Sequence, residues 1–327
     1  MQIRAEAVKN ILAVRNDRFG EFLLNIPSLR ALKENFTNAS LIVVIDPYIK
    51  GLAQNIPFID ELIEWGRLAH TLREKVGLIN LLKRKKIDIA IMLNPSLDFN
   101  LFTYLAGIPV RVGYNRKWAF LLTHKIEDKK YLGLKHEIEY NLELLNLIGI
   151  RSEDKTLLLK TEENIIKGLC ENYHLEGCND LVVIHPWTSD PIKQWPIDNF
   201  SRLASKLGEE LNRKVVIVGG KDELERSLQY FSDSGQGIVN LTGKTTLNQL
   251  AALMKKCKLL ISGDSGPVHL ASCVGVPIVA IFRNDIAGKG PIRWGPTSEG
   301  SEVIAKASLS DITVEEVFIE AKRILNQ

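Results

Sequence analysis

Three polar segments carry the residue types that could hold an activated phosphate compound and discharge it. The first is LLISGDSGPVHLASCVGVPIVAIF, Leu259 to Phe282. An apolar strand ends at Ser262, the turn Gly263-Asp264-Ser265-Gly266 follows, and a helix starts near Pro267, whose missing N–H is no loss in a first helical turn. Backbone N–H groups at such a start point outward with the positive end of the dipole behind them, which favours a phosphate by about 0.3 to 2 kcal/mol. The glycines let a diphosphate approach the backbone. Asp264 and Ser265 are equally suited to capping the helix, and the two roles are compatible. His269, on the first turn, would face the same anion or pack against the neighbouring loop.

The second segment, VVIHPWTSDPIKQWP, Val182 to Pro196, also follows a strand. Thr188 and Ser189 offer hydroxyls, and Lys193 offers a compact positive charge that could neutralise a diphosphate leaving group; the alternative is an ordinary solvated lysine. The third, ILAVRNDRFGEFLLNIPSLRALKENF, Ile11 to Phe36, carries Asp17 and Glu21 where a strand passes into a helix, with Arg15, Asn16 and Arg18 beside them. Glu21 is either a carboxylate stabilised by a helix N-terminus or a general base, with Asp17 the alternative base. The loop has Gly20 only, so it is neither the G-x-G-x-x-G of a dinucleotide fold nor a P-loop.

Two weaker groups follow later strands. Asp222 and Glu223 could accept hydrogen bonds from ribose hydroxyls, although acidic residues are common at helix starts. Thr242-Gly243-Lys244 forms a turn suited to the border of a nucleobase. The chain has no D-x-D pair, which argues against a metal-bridged sugar nucleotide. GDSG also occurs in trypsin-like serine proteases, but those are paired β-barrels, and here the motif joins a strand to a helix in an alternating α/β pattern.

These segments need a scaffold, and 327 residues suffice for about two domains. Short β-branched runs alternate with helical patterns throughout, the mark of parallel sheets covered by helices. The first series has strands at Asn10 to Arg15, Leu41 to Asp46, Glu61 to Trp65, Ile87 to Leu93 and Val110 to Tyr114. The pattern then weakens. An amphipathic helix around His136 to Leu147 precedes a linker near residues 151 to 165, and a second series starts with strands at Leu181 to His185, Lys214 to Gly219, Ile238 to Leu241, Leu259 to Ser262, Pro277 to Phe282 and Glu302 to Ala305. In doubly wound sheets ligands bind at the carboxyl ends of the strands, where the polar segments sit.

Composition narrows the classes further. With 42 Lys and Arg against 39 Asp and Glu, there is no basic stripe for nucleic acid; KRKK at Lys83 to Lys86 reads as a solvated face, with at most a weak attraction to an anionic membrane. Cys170, Cys178, Cys257 and Cys273 lack zinc-like spacing and suggest free thiols in a reducing compartment. The first residues do not resemble a secretory leader, and no apolar run approaches the roughly 18 residues of a membrane span, so a cytoplasmic protein is expected.

RNDRFGEFLLNIPSLRALK, HPWTSDPIKQWP and SGDSGPVHLASCVGVPIVAIF, in this order, resemble the signature regions of the lipopolysaccharide heptosyltransferases, glycosyltransferase family 9. The resemblance spans about Ile11 to Pro296. It implies a GT-B architecture: two facing Rossmann-like doubly wound domains and a cleft between them. Residues 1–155 would form the acceptor domain and 156–327 the nucleotide-sugar domain, with the last helix packing back on the first. It also implies inverting, metal-independent transfer of a heptose from ADP-heptose to a lipopolysaccharide core at the inner face of the cytoplasmic membrane, with no cofactor. The family's base is usually an aspartate, and Glu21 stands in its place. Its phosphate-binding lysine corresponds to Lys193, preceded by Thr188 and Ser189; its diphosphate turn corresponds to Asp264, Ser265 and Gly266, followed by His269. A GT-B sugar-nucleotide epimerase, which needs no acceptor, and a non-catalytic sugar-nucleotide-binding homologue are the competing expectations.

Overall fold

The computed structural model describes residues 3–173, 175, 180–231 and 237–326. The chain divides into two compact units, Met1–Thr156 and Leu157–Gln327. In the first, strands β1 (Asn10–Val14), β2 (Ser40–Ile45), β3 (Glu61–Glu64), β4 (Ile89–Met92), β5 (Val110–Tyr114) and β6 (His124–Ile126) form a parallel sheet ordered β3-β2-β1-β4-β5-β6. In the second, β7 (Leu181–His185), β8 (Lys214–Ile217), β9 (Ile238–Asn240), β10 (Leu259–Gly263), β11 (Ile278–Arg283) and β12 (Glu302–Lys306) form another, ordered β12-β11-β10-β7-β8-β9.

Numbered within its own unit and viewed from the other side, the second sheet has the order of the first, 3-2-1-4-5-6. That order reverses between strands 1 and 4, which creates a crevice at their carboxyl ends. The crevice lies between β1 and β4 in the first unit and between β7 and β10 in the second. Both polar turns of the second unit, after His185 and after Gly263, open there, and the Arg15 to Glu21 loop opens at the crevice of the first.

The central strands are continuous apolar runs because helices cover both faces. β10 and β7 are fully buried along their length. In the second unit Val182, Ile184, Ile217, Ile261 and Ile281 meet Phe200, Leu203 and Leu207 of helix Ile197–Leu211. Trp195 anchors that helix: it is fully buried, lies edge-on to Phe200 at 4.7 Å, and its indole N–H donates to the Ile312 carbonyl at 2.9 Å. Helix Val314–Leu325 contributes Val317, Phe318, Ala321 and Ile324 to this second core.

Two features depart from the sequence expectations. The first sheet has a sixth strand, β6, that the sequence does not announce, because its three residues, His124-Lys125-Ile126, form a half-exposed edge with no apolar run. Cys170 is held in a disulfide rather than free, whereas Cys257 and Cys273 are free, buried thiols; Cys178 lies outside the described residues. Burial raises both free thiols, Cys257 to about 12, so neither is a nucleophile near neutral pH. No helix among the described residues is long and apolar enough to cross a membrane.

Candidate functional site

In the second unit the crevice is lined by the turns after β7 and β10. Gly263 ends β10, and helix Gly266–Val274 begins three residues later with Ser265 in extended conformation at its N-cap position. The Ser265 side chain makes no capping hydrogen bond to that helix. The Ser265 hydroxyl instead meets the Ser262 hydroxyl at 2.9 Å and His185 Nδ1 at 3.2 Å, and the Ser262 hydroxyl donates to the His185 carbonyl at 3.1 Å. His185 and Ser262 are register partners on adjacent strands, so the pair locks the floor of the turn.

Burial holds His185 neutral and depresses it to about 4. A base with a folded pKa below its unfolded value of 6.5 contributes stability at neutral pH that is lost as pH falls from about 6.5 toward 4. The full span corresponds to on the order of 3 kcal/mol. His185→Asn is therefore expected to flatten the acid side of the stability curve, read as the urea midpoint between pH 7 and pH 4.

Lys193 and Asp264 are brought together across the two turns. The ammonium lies 2.6 Å from Asp264 Oδ2, with side-chain exposures of 19% and 9%. Burial raises the Asp264 carboxyl, and the Lys193 charge opposes that shift. A third side of the cluster was not evident from sequence: Lys289, in the loop after β11, sits 3.1 Å from Asp190 and lowers that carboxyl. The signal available was its place between two glycines at a strand's carboxyl end, in AGKGP. Thr188 bonds the backbone amide of Asp190 at 3.3 Å and shapes the turn, while Ser189 is exposed at its tip. His269 is buried in the first turn of its helix, its ring 6.1 Å from Trp294.

The remaining candidates lie after β8 and β9. Asp222 is exposed and Glu223 half-buried on the turn Lys221–Glu223. Thr242 is fully buried and shares its hydroxyl with Ser227 at 2.8 Å, so its side chain serves the interior rather than a ligand. Gly243 has φ +74°, in the left-handed region that favours glycine, and its amide donates to the Gly219 carbonyl at 2.9 Å. Gly219 seats Trp187: a Cβ there would stand 2.5 Å from the indole nitrogen, which donates to the Val218 carbonyl.

In the first unit, Glu21 occupies a five-residue helix, Phe19–Leu23, whose Gly20 is buried. Its carboxyl is raised by burial first and by Asp17 second, against the pull of Arg15. Asp17 is committed to Arg15 Nε at 2.7 Å. The Arg15 guanidinium is buried, donates to the Leu93 carbonyl at 3.0 Å, and stands 3.8 Å from Glu137. Of the basic run, Lys85 is tied to Glu61.

The sequence model of glycosyltransferase family 9 (heptosyltransferase) matches residues 76–317, about three quarters of the chain. The chain belongs to glycosyltransferase family 9. This family 9 protein is 25% identical to lipopolysaccharide heptosyltransferase 2 of Salmonella typhimurium, covering 97% of the chain and 99% of the relative. Its fold is that of the family 9 glycosyl transferase of Veillonella parvula, with a TM-score of 0.86, 24% identity and 99% of each chain covered. It is likewise that of the E. coli ADP-heptose lipopolysaccharide heptosyltransferase II, with a TM-score of 0.84, 24% identity, and 97% and 99% covered. The architecture is thus GT-B-like, and the protein is a glycosyltransferase.

Proposed function

We propose that this family 9 protein transfers a heptose, or a closely related sugar, from an ADP-linked donor to a lipopolysaccharide core or similar glycan acceptor, with inversion and without a metal ion. The carrying observation is the pairing of Lys193 with Asp264 beside the start of helix Gly266–Val274, at the switch point of the second sheet. A diphosphate needs compensating charge as its bond to the anomeric carbon breaks. Lys193 and the backbone amides of that helix supply it in a partly buried setting, where it acts more strongly than in water, and the exposed Lys289 adds to it from the rim. This is the charge that a metal ion would otherwise bring.

The second unit then holds the donor and the first holds the acceptor and the base. An acceptor hydroxyl attacks the anomeric carbon as Glu21 takes its proton. The carbon–oxygen bond to the diphosphate breaks, and the nucleoside diphosphate leaves from the opposite face. A single displacement of this kind inverts the anomeric centre. The raised Glu21 carboxyl supports the base assignment, because burial and Asp17 outweigh the lowering by Arg15 and by its own backbone amide at the helix start. The names of the E. coli and Salmonella relatives support the sugar and acceptor classes, and a glycolipid acceptor suits a cytoplasmic protein touching the inner membrane face.

A thermal-shift panel of ADP-, UDP-, GDP- and CDP-linked sugars tests the donor. A ligand at 100 times its Kd stabilises the folded state by about 2.7 kcal/mol. The ADP-linked sugar is expected to raise the midpoint most. Preference for a uridine or guanosine nucleotide would remove the ADP assignment and leave the family unchanged.

A further inference from the structure

Behind the Arg15 to Glu21 loop lies a chain of charged side chains with almost no access to water. Arg15 is 4% exposed, Lys130 7%, Glu137 1% and Asn141 0%. Glu137 heads helix Glu137–Leu145 and takes the Lys130 ammonium at 2.5 Å, and that ammonium also donates to Asn141 Oδ1 at 2.9 Å. The same ammonium stands 4.5 Å from the centre of the Tyr114 ring. Arg15, at the end of β1, is held between Asp17, the Leu93 carbonyl after β4, and Glu137. Burying this many charges is costly, and such a group persists only when its members compensate one another. A hydrophobic filling would serve packing equally well.

The nearest consequence falls on Glu21. The charges facing its carboxyl are Asp17, Arg15 and Arg18, and Arg15 is the stronger of the two cations. A general base must be basic enough to accept a proton, and a guanidinium closing on it would quench it. We propose that the Glu137–Lys130 pair is a positioning device that holds Arg15 on the side of Asp17 and the Leu93 carbonyl, and so keeps that guanidinium from closing on Glu21. The consequence for catalysis rests on Glu21 being the base; the consequence for the titration of Glu21 does not.

The groups that face Arg15 are Asp17, Glu137, Glu21 and Tyr114, from the loop after β1, two helices and β5. Glu137→Gln removes one of three restraints and also one negative charge, and both changes favour the ionised form of Glu21. The expected result is a fall of roughly one unit in the Glu21 titration, followed by its carboxyl carbon NMR resonance. With ADP-heptose and a heptose-free lipopolysaccharide core as substrates, the acid limb of kcat should move the same way and its plateau drop about three- to tenfold, with donor KM unchanged. Arg15→Met should move the titration upward.

Because Glu137→Gln leaves Lys130 buried without its carboxylate, the double replacement Glu137→Met with Lys130→Met is the companion variant; exchanging a buried ion pair for apolar groups is often neutral for folding. It is expected to shift Glu21 in the same direction by less. An unmoved Glu21 resonance in both variants overturns the positioning role. A shifted resonance with full turnover in Glu21→Gln supports it and overturns the base assignment instead.

Discussion

Glu21→Gln is expected to lower turnover by about 10²- to 10⁴-fold, the usual contribution of a general base, with little change in donor affinity. Gln keeps the shape and can still hydrogen-bond the acceptor hydroxyl, but it takes no proton. Two further results follow from the environment of the carboxyl. Since burial and Asp17 raise it above the ordinary carboxylate value of 4.5, the wild-type acid limb of kcat/KM should lie above that value and disappear in the variant. A carboxyl whose folded pKa is raised costs stability when ionised, a cost relieved only as pH falls through the folded value. At neutral pH Glu21→Gln should therefore raise the thermal midpoint while turnover collapses, a combination that misfolding cannot produce. Near-normal turnover would move the base to Asp17, and Asp17→Asn with its own turnover loss would decide that case.

Some of this was legible in the residues and some was not, for physical reasons. Buried parallel strands such as Leu181–His185 and Leu259–Gly263 announce themselves because helices on both faces demand continuous apolar runs. His124–Ile126 does not, since an exposed edge makes no such demand. The turns after β1, β7 and β10 could be picked out by glycine, proline and short polar residues at strand ends, which is where a doubly wound sheet keeps its ligands. Side-chain partnerships between distant segments had no such signal. Glu137 is 122 residues from Arg15 in the chain, and Lys130 sits in an ordinary charged stretch, EDKK; nothing local marks either as buried. The same limit applies to Thr242, whose turn looked available although its hydroxyl faces Ser227 inside the unit.

The second large effect is expected at Lys193. Lys193→Met should lower kcat/KM by about 10²- to 10³-fold, the range seen when one preorganised group that stabilises transition-state charge is removed. The loss should fall on turnover more than on donor binding, because the diphosphate gains charge as its bond to the sugar breaks. Folding changes as well. Lys193 pulls the Asp264 carboxyl down against its burial, so Met leaves a carboxylate with little solvent and no ammonium at 2.6 Å. That should cost about 1 to 3 kcal/mol at neutral pH. The deficit should shrink as pH falls, because the further-raised carboxyl then protonates in the folded state. Two explanations for lost activity, missing charge at the leaving group and a collapsed turn, are separated by the double variant Lys193→Met with Asp264→Asn. Asn removes the stranded charge, so the thermal midpoint should return toward wild type while turnover stays low, a departure from additivity expected of two groups in contact. If turnover returns with stability, Lys193 only holds the turn, and the charge on the leaving diphosphate must be met by Lys289 and the start of helix Gly266–Val274.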